Sequence, residues 1–359
     1  MSSRLQCGQS KKRRLCYIPG LGGPAFKTVS HGGLAWLEAL RLSKLPWLVH
    51  AFSMRRGGRS RSPCAGLNLG FTEWDRREIV ELNRRRFLRQ IDAAGFVLAS
   101  LRQVHSSHAF MLARDKAGQL CYQPSGAALT EQATTSPPAG DGLMTAEAGI
   151  LLTVRIADCL PVLLVDPKRR VVAVVHAGWR GALARVIEKA VGDLRGVFGC
   201  DPGQLLAALG PSIRACCYEV GEEVVGAFHG QFVRAEQFFP RPPRHPEAAT
   251  GRTSTPFLSA FPTGHAPEQI PGAHLDLVAV ALNQLSSAGV KASNVLIANY
   301  CTACRTDLFF SHREEGERTG RQMAVVGIRP GERGSPTNTN PQSSSLGRGC
   351  PADAGYEGR

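Results

Sequence analysis

The sequence predicts a mixed α/β sandwich, and three observations carry that reading. Runs dense in Leu, Val and Ile at Leu151 to Val165 and Val171 to Val175 are what strands buried on both faces require. Between such runs stand helical stretches, Asp75 to Ala94, Gly181 to Leu194 and Asp276 to Ala288, in the alternation typical of α/β folds. A chain of 359 residues with 43% hydrophobic content supports a sizeable core, and its length suits one large domain or two ordinary ones.

The elements can be justified in order. Residues 1–28 read as a flexible extension, because Met1 to Gly20 carries the basic run Lys11-Lys12-Arg13-Arg14 without an apolar segment. That pattern argues against a secretory signal. Residues 29–330 then read as the folded domain. Within it, Arg55-Arg56-Gly57-Gly58-Arg59 is a basic loop, and Arg84-Arg85-Arg86 reads as the solvated face of the helix Asp75 to Ala94. The stretch 239–271 is Pro-rich and lacks periodicity, so it reads as an inserted surface loop. Residues 331–359, rich in Gly, Ser, Pro and Asn, read as a disordered tail. No run reaches the roughly 18 apolar residues of a membrane span, and no membrane partner is expected.

Charge and cysteine content narrow the function classes. A net charge of +14 invites a nucleic-acid reading, but aromatic residues are not interleaved with the basic clusters and no nucleic-acid motif is present. A basic exterior that attracts small anions is the better account. Eleven cysteines, an odd count without regular spacing, argue for reduced thiols in a cytoplasmic protein over a disulfide scaffold. Cys301-Thr302-Ala303-Cys304 invites a redox or zinc-ribbon reading. A tetrathiolate there would have to recruit Cys216 and Cys217, and a single Cys-x-x-Cys pair is thin support for it.

The chemistry concentrates in Ala157-Asp158-Cys159 and His176-Ala177-Gly178-Trp179-Arg180. Asp166-Pro167-Lys168-Arg169-Arg170 supplies a polar turn between them. A symmetric turn sets Pro161 opposite His176 and Cys159 opposite Gly178, which makes Cys159 and His176 diagonal neighbours, roughly 7–8 Å apart at the backbone. Two ligands on one ion meet that requirement. A Cys159 nucleophile with His176 as its base also meets it, as does a buried thiol beside a structural histidine. Asp158 would face the other way and act as a hydrogen-bonding support. Catalytic zinc usually has three protein ligands and one open position, so a third ligand is needed. His105, ending the alternation Leu101-Arg102-Gln103-Val104-His105, is the candidate, with His108 as competitor.

An ordered set of motifs makes a resemblance specific. They are His50-Ala51-Phe52-Ser53-Met54-Arg55, Leu67-Asn68-Leu69-Gly70, Gln103-Val104-His105, Asp141-Gly142-Leu143-Met144-Thr145, and the two segments around Cys159 and His176. Gly210-Pro211-Ser212-Ile213, Cys217-Tyr218-Glu219-Val220-Gly221, Leu275-Asp276-Leu277, Cys301-Thr302, Phe309-Phe310-Ser311-His312-Arg313 and Thr319-Gly320-Arg321-Gln322 complete the set. In order and spacing, the chain resembles the laccase-domain family over roughly residues 45–330. That family is also called multicopper polyphenol oxidase, peptidoglycan-editing factor, and zinc-dependent purine nucleoside phosphorylase. The resemblance implies a single-domain, layered α/β/β/α sandwich similar to a family of cysteine hydrolases. It also implies a zinc ion held by His105, Cys159 and His176, phosphorolysis of adenosine and related purine nucleosides, and accompanying adenosine deamination and methylthioadenosine phosphorolysis. The insert at 239–271 is longer than the family pattern shows, so contacts made from that segment do not carry over.

Each activity sets chemical demands. Deamination needs a hydroxide near neutral pH, and zinc lowers the pKa of its water to about 7. Phosphorolysis needs phosphate held against the sugar and charge neutralised on the leaving purine. Arg55, in its Gly-rich loop, is the first phosphate candidate, with Arg313 and Arg321 behind it. Asp141 and Glu219 are candidates to orient the ligand or donate a proton, or else to cap local structure. Copper would also bind thiolate and imidazole ligands. A multicopper oxidase needs clustered histidine pairs, however, and no His-x-His pair occurs among the ten histidines. A metal-free cysteine hydrolase or amidase acting on a cell-wall amide, and a non-catalytic protein with a structural metal, are the other classes. Oligomeric state is not legible.

Overall fold

A computed structural model describes residues 25–125, 134–240 and 272–331. The first part contains β1 (Phe26–His31), β2 (Leu34–Ala39), β3 (Leu48–Ser53), helix α1 (Arg77–Gln90), β4 (Val97–Ala99), β5 (Ala109–Arg114) and β6 (Leu120–Pro124). The centre contains β7 (Gly142–Thr145), β8 (Ile150–Ile156), β9 (Leu160–Asp166), β10 (Val171–Ala177), α2 (Trp179–Leu183), α3 (Val186–Phe198) and β11 (Leu206–Leu209). β12 (Glu219–Val220), α4 (Glu222–Gln231), β13 (Ala273–His274), α5 (Leu277–Ser287), β14 (Val295–Ile297), α6 (His312–Glu315) and β15 (Gln322–Ile328) follow.

The strands form a six-stranded sheet ordered β1-β2-β3-β15-β8-β4, a seven-stranded sheet ordered β14-β11-β9-β10-β7-β5-β6, and a separate two-stranded pair of β12 and β13. Side-chain alternation then dictates the layers. In β9, Leu160, Val162 and Leu164 pack with Ile187 and Val191 of α3 and Val280 of α5. Leu163 and Val165 face the opposite way and meet Phe52, Leu152, Val154 and Ala324 of the six-stranded sheet. The far side of that sheet, with Val49, Ala51, Leu151 and Val325, is covered by Phe87 of α1 and Ile91 just beyond it. Helices outside and two sheets inside make the α/β/β/α sandwich. With both sheet faces covered, every residue of β9 and β10 leaves water, at about 1.5–3 kcal/mol per large apolar side chain. This is why β9 and β10 read as unbroken apolar runs.

Several local expectations change. The run Leu151 to Val165 divides between β8 in one sheet and β9 in the other, and the chain crosses at a corner where Asp158 has φ 97°. Hydrophobicity alone cannot report that change of sheet, because both halves are buried. The helix expected over Gly181 to Leu194 breaks into α2 and α3 at Arg185, which has φ 59°. β1 begins at Phe26, inside the stretch read as an extension. Arg84 is not on a solvated face: its Nε donates to the Leu69 carbonyl at 2.8 Å, its guanidinium lies 4.0 Å from the Phe71 ring, and burial pulls its pKa down to about 10. Of the Pro-rich stretch, residues 241–271 lie outside the described residues, as do 332–359 and residues 1–24. Among the described residues no helix is long and apolar enough to cross a membrane.

Candidate metal centre

The β9–β10 hairpin closes as the turn predicts, with Pro161 paired to His176, and its last pair is Leu160 with Ala177. Cys159 therefore sits one residue beyond the ladder, on the corner made by Asp158. β7 lies on the other side of β10, where the pair Val175–Gly142 places Asp141 beside His176. The His176 N–H donates to the Asp141 carbonyl at 2.7 Å, extending that ladder by one bond.

Asp141 organises the rest. Its carboxylate accepts from Nδ1 of His176 at 2.8 Å, from the His105 N–H at 3.1 Å, and from the Ser106 hydroxyl at 2.8 Å. One carboxylate thus orients one imidazole and ties down the loop that carries the other. His105 itself holds φ 59°, a left-handed conformation costing about 1–3 kcal/mol in a non-glycine residue. These bonds to Asp141 hold it there.

His105, Cys159 and His176 each bring a ligand atom within 4.8 Å of the other two. Nε2 of His105 is 3.8 Å from Sγ of Cys159, and the two imidazole rings lie 5.0 Å apart. Gly178 keeps the space open, because a Cβ there would fall 2.7 Å from the His105 ring and 3.0 Å from Cys159 Sγ. Burial alone would push the Cys159 thiol up, yet the His176 charge and hydrogen bonds from both histidines bring it down to about 6. Burial works against a charged His176, but the Cys159 charge and the Asp141 bond raise it to about 9. Burial also opposes ionisation of Asp141, and the bonds from His176 and Ser106 hold it below the usual carboxylate range. One soft thiolate, two imidazoles and a carboxylate behind one of them fit a zinc ion's preferences in donor type and number.

The other sequence candidates take distinct places. Asp158 turns away from the trio, accepting from the Thr302 hydroxyl at 2.6 Å and the Arg313 N–H at 2.7 Å, as a support would. Arg55 is engaged by Glu315 at 2.6 Å and by the carbonyls of Ala65 and Thr306, and stacks on Phe310. Arg313 is exposed, bonds the Glu219 carbonyl at 2.7 Å and lies 5.1 Å from the Tyr218 ring. Arg321 donates to the carbonyls of Thr319 and Gly320, and burial lowers its pKa. His108 is outside the trio, but its carbonyl accepts from the N–H groups of Asp141 and Gly142. Sequence reasoning assigned no role to Gly178, Ser106, Thr302 or Tyr218. Burial pushes the Tyr218 phenol up, with the Cys159 charge adding to the shift and Arg313 opposing it, so this ring borders the site. For Gly178 the available signal was its place opposite Cys159 in the predicted hairpin register.

Fold and site together define a mixed α/β sandwich with a Cys/His/His cluster that could hold a metal ion. The chain belongs to the family described as multi-copper polyphenol oxidoreductase laccase, whose model matches residues 49–329. It is 32% identical over 281 residues to purine nucleoside phosphorylase YlmD of Geobacillus stearothermophilus, covering 78% of this chain and 90% of that protein. It is 37% identical over 186 residues to adenosine deaminase RL5 from an unknown prokaryotic organism, covering 52% and 61% respectively. The crystal structure of YlmD from Geobacillus stearothermophilus matches with a TM-score of 0.65 at 30% identity, covering 86% of this chain and all of that one.

Proposed function

We propose that the protein is a zinc-dependent purine nucleoside phosphorylase that cleaves adenosine and related purine nucleosides with phosphate. Adenosine deamination and methylthioadenosine phosphorolysis are proposed as accompanying activities. The observation that carries this reading is the convergence of His105, Cys159 and His176 behind Asp141. The names of the similar proteins, a purine nucleoside phosphorylase and an adenosine deaminase, support the substrate class.

When bound, the ion supplies Lewis acidity and acidifies water at its open position. The chain's own residues do the remaining work. Asp141 keeps the proton of His176 on Nδ1 and leaves Nε2 as the ligand atom, while its other bonds fix the His105 loop. In phosphorolysis the C–N bond to the purine breaks, a bond from phosphate oxygen to the sugar carbon forms, and the departing base takes up a proton. Arg313 is the better placed of the named arginines to hold phosphate, because it is an exposed residue whose side chain bonds, among the described residues, only a carbonyl, that of Glu219, and lies over the Tyr218 ring, whereas Arg55 is already paired with the Glu315 carboxylate. Tyr218 offers a flat ring against which a purine would pack. We assign Asp141 an orienting role in place of direct contact with phosphate, since it is fully buried. Copper would fit the same donors, and the metal carried by purified protein decides between them.

One observation favours a second reading. A Cys159 thiol brought down to about 6 beside a histidine braced by Asp141 has the layout of a cysteine hydrolase. Metal content separates the two, because a ligated thiolate cannot attack. The test is metal analysis together with chromatography of free base released from adenosine, with and without phosphate. About one ion at the trio and phosphate-dependent adenine release are expected. Full turnover in metal-free protein would overturn the proposal.

A further inference from the structure

A second donor cluster lies outside the trio. Cys216, Cys217, Cys301 and Cys304 bring four Sγ atoms within 4.8 Å of one another. Cys304 Sγ is 3.6 Å from that of Cys216 and 3.3 Å from that of Cys217. A disulfide requires about 2.05 Å, so this spacing is not one. The edge of a tetrahedron with zinc–sulfur bonds of about 2.3 Å is about 3.8 Å, close to what the thiols adopt. We propose that these four cysteines hold a structural zinc ion as a closed tetrathiolate, a second metal site distinct from the His105, Cys159 and His176 centre.

Local structure shapes both halves of the site. Cys216 and Cys217 occupy a tight turn in which the N–H groups of Cys217 and Tyr218 both donate to the Arg214 carbonyl at 2.9 Å. Cys301 and Cys304 flank a second turn, where the Arg305 N–H donates to the Cys301 carbonyl at 3.2 Å. Turns of this kind make neighbouring thiols converge. Cys301 is buried while Cys304 is exposed, which gives an ion a route in. Four thiolates leave no open position, so the role is to hold structure.

What the ion would hold is the wall of the first site. The turn after β11 and the one after β14 are joined by the Thr302 N–H to the Ser212 carbonyl at 3.1 Å and by the Arg214 guanidinium, which donates to the carbonyls of Ala298 and Tyr300. Both grip Asp158: Ile213 through the Asp158 carbonyl at 2.8 Å, and Thr302 through its carboxylate at 2.6 Å. Asp158 is the residue before Cys159, and Tyr218 follows Cys217 directly. Zinc here would clamp the two turns that set the Cys159 corner and the Tyr218 ring.

The test counts zinc in full-length protein purified under reducing conditions, first with the tetrad intact. Wild type is expected to carry two ions and Cys159→Ala to retain one. Cobalt in place of zinc in Cys159→Ala should give intense sulfur-to-cobalt charge-transfer bands and the visible bands of a tetrahedral site. Adding Cys301→Ser and Cys304→Ser to Cys159→Ala should remove those bands. Absence of metal from Cys159→Ala, or a cobalt spectrum without charge-transfer bands, would overturn the proposal. A wild-type count of one that is unchanged in Cys159→Ala supports the tetrathiolate and counts against the phosphorylase reading, so the two fail separately.

Discussion

The Cys159 trio and the Cys216 tetrad meet the same distance test yet differ in every feature that decides chemistry. The trio mixes one sulfur with two ring nitrogens, stands at strand ends, and has a buried carboxylate behind one imidazole. The tetrad is all sulfur, sits on two turns and would close its coordination without help. Three ligands with an orienting partner suit reactivity, whereas four thiolates suit a clasp. Asp158 joins the two regions, because its carboxylate bonds the residue after Cys301 while its own neighbour is Cys159.

Variants can break the comparison on one side at a time. The largest effect is expected from His176→Ala, which should abolish metal retention at the trio and nucleoside cleavage while sparing zinc at the tetrad, as read by metal analysis and base release. Asp141→Asn should follow, with a loss of about 10–100-fold in metal affinity or activity, the range for removing an orienting partner. Competition with a chelator measures it, and an unchanged affinity would remove Asp141 from the account. Gly178→Ala should come next, since its methyl would press on the His105 ring at a cost of about 1–3 kcal/mol. Weaker zinc retention at the trio with an unaltered tetrad would locate that strain.

The smallest effect concerns protons in chelator-treated protein. Cys159, with its thiol lowered to about 6, contributes stability above its ordinary range that is lost as pH falls through about 6. His176, raised to about 9, contributes stability below its ordinary range that is lost as pH rises through about 9. The ion pair is therefore complete between those limits. Alkylation of Cys159 should climb as pH rises through about 6, and a midpoint in the ordinary thiol range would contradict the pairing.

Much of this was legible in the letters. Leu160 to Val165 and Val171 to Val175 announced buried strands, the turn at Asp166 to Arg170 set the register of Pro161 with His176, and His105, read as the third candidate, lies within reach of Cys159 and His176. What remained hidden depends on long-range packing. Nothing local says that Leu151 to Val165 changes sheets, because the cue is one backbone angle at Asp158. Arg55 and Arg84 looked available because their partners Glu315 and the Leu69 carbonyl arrive from elsewhere in the fold. Cys216 and Cys217 stand 84 or more residues from Cys301 and Cys304 in sequence, and only the neighbouring β11 and β14, paired in parallel, bring their turns together.

Anomalous diffraction at the zinc edge from crystals of wild-type protein tests the central claim most directly. A peak shared by His105, Cys159 and His176 is the predicted result. An active enzyme with no anomalous scatterer among those three side chains would contradict it.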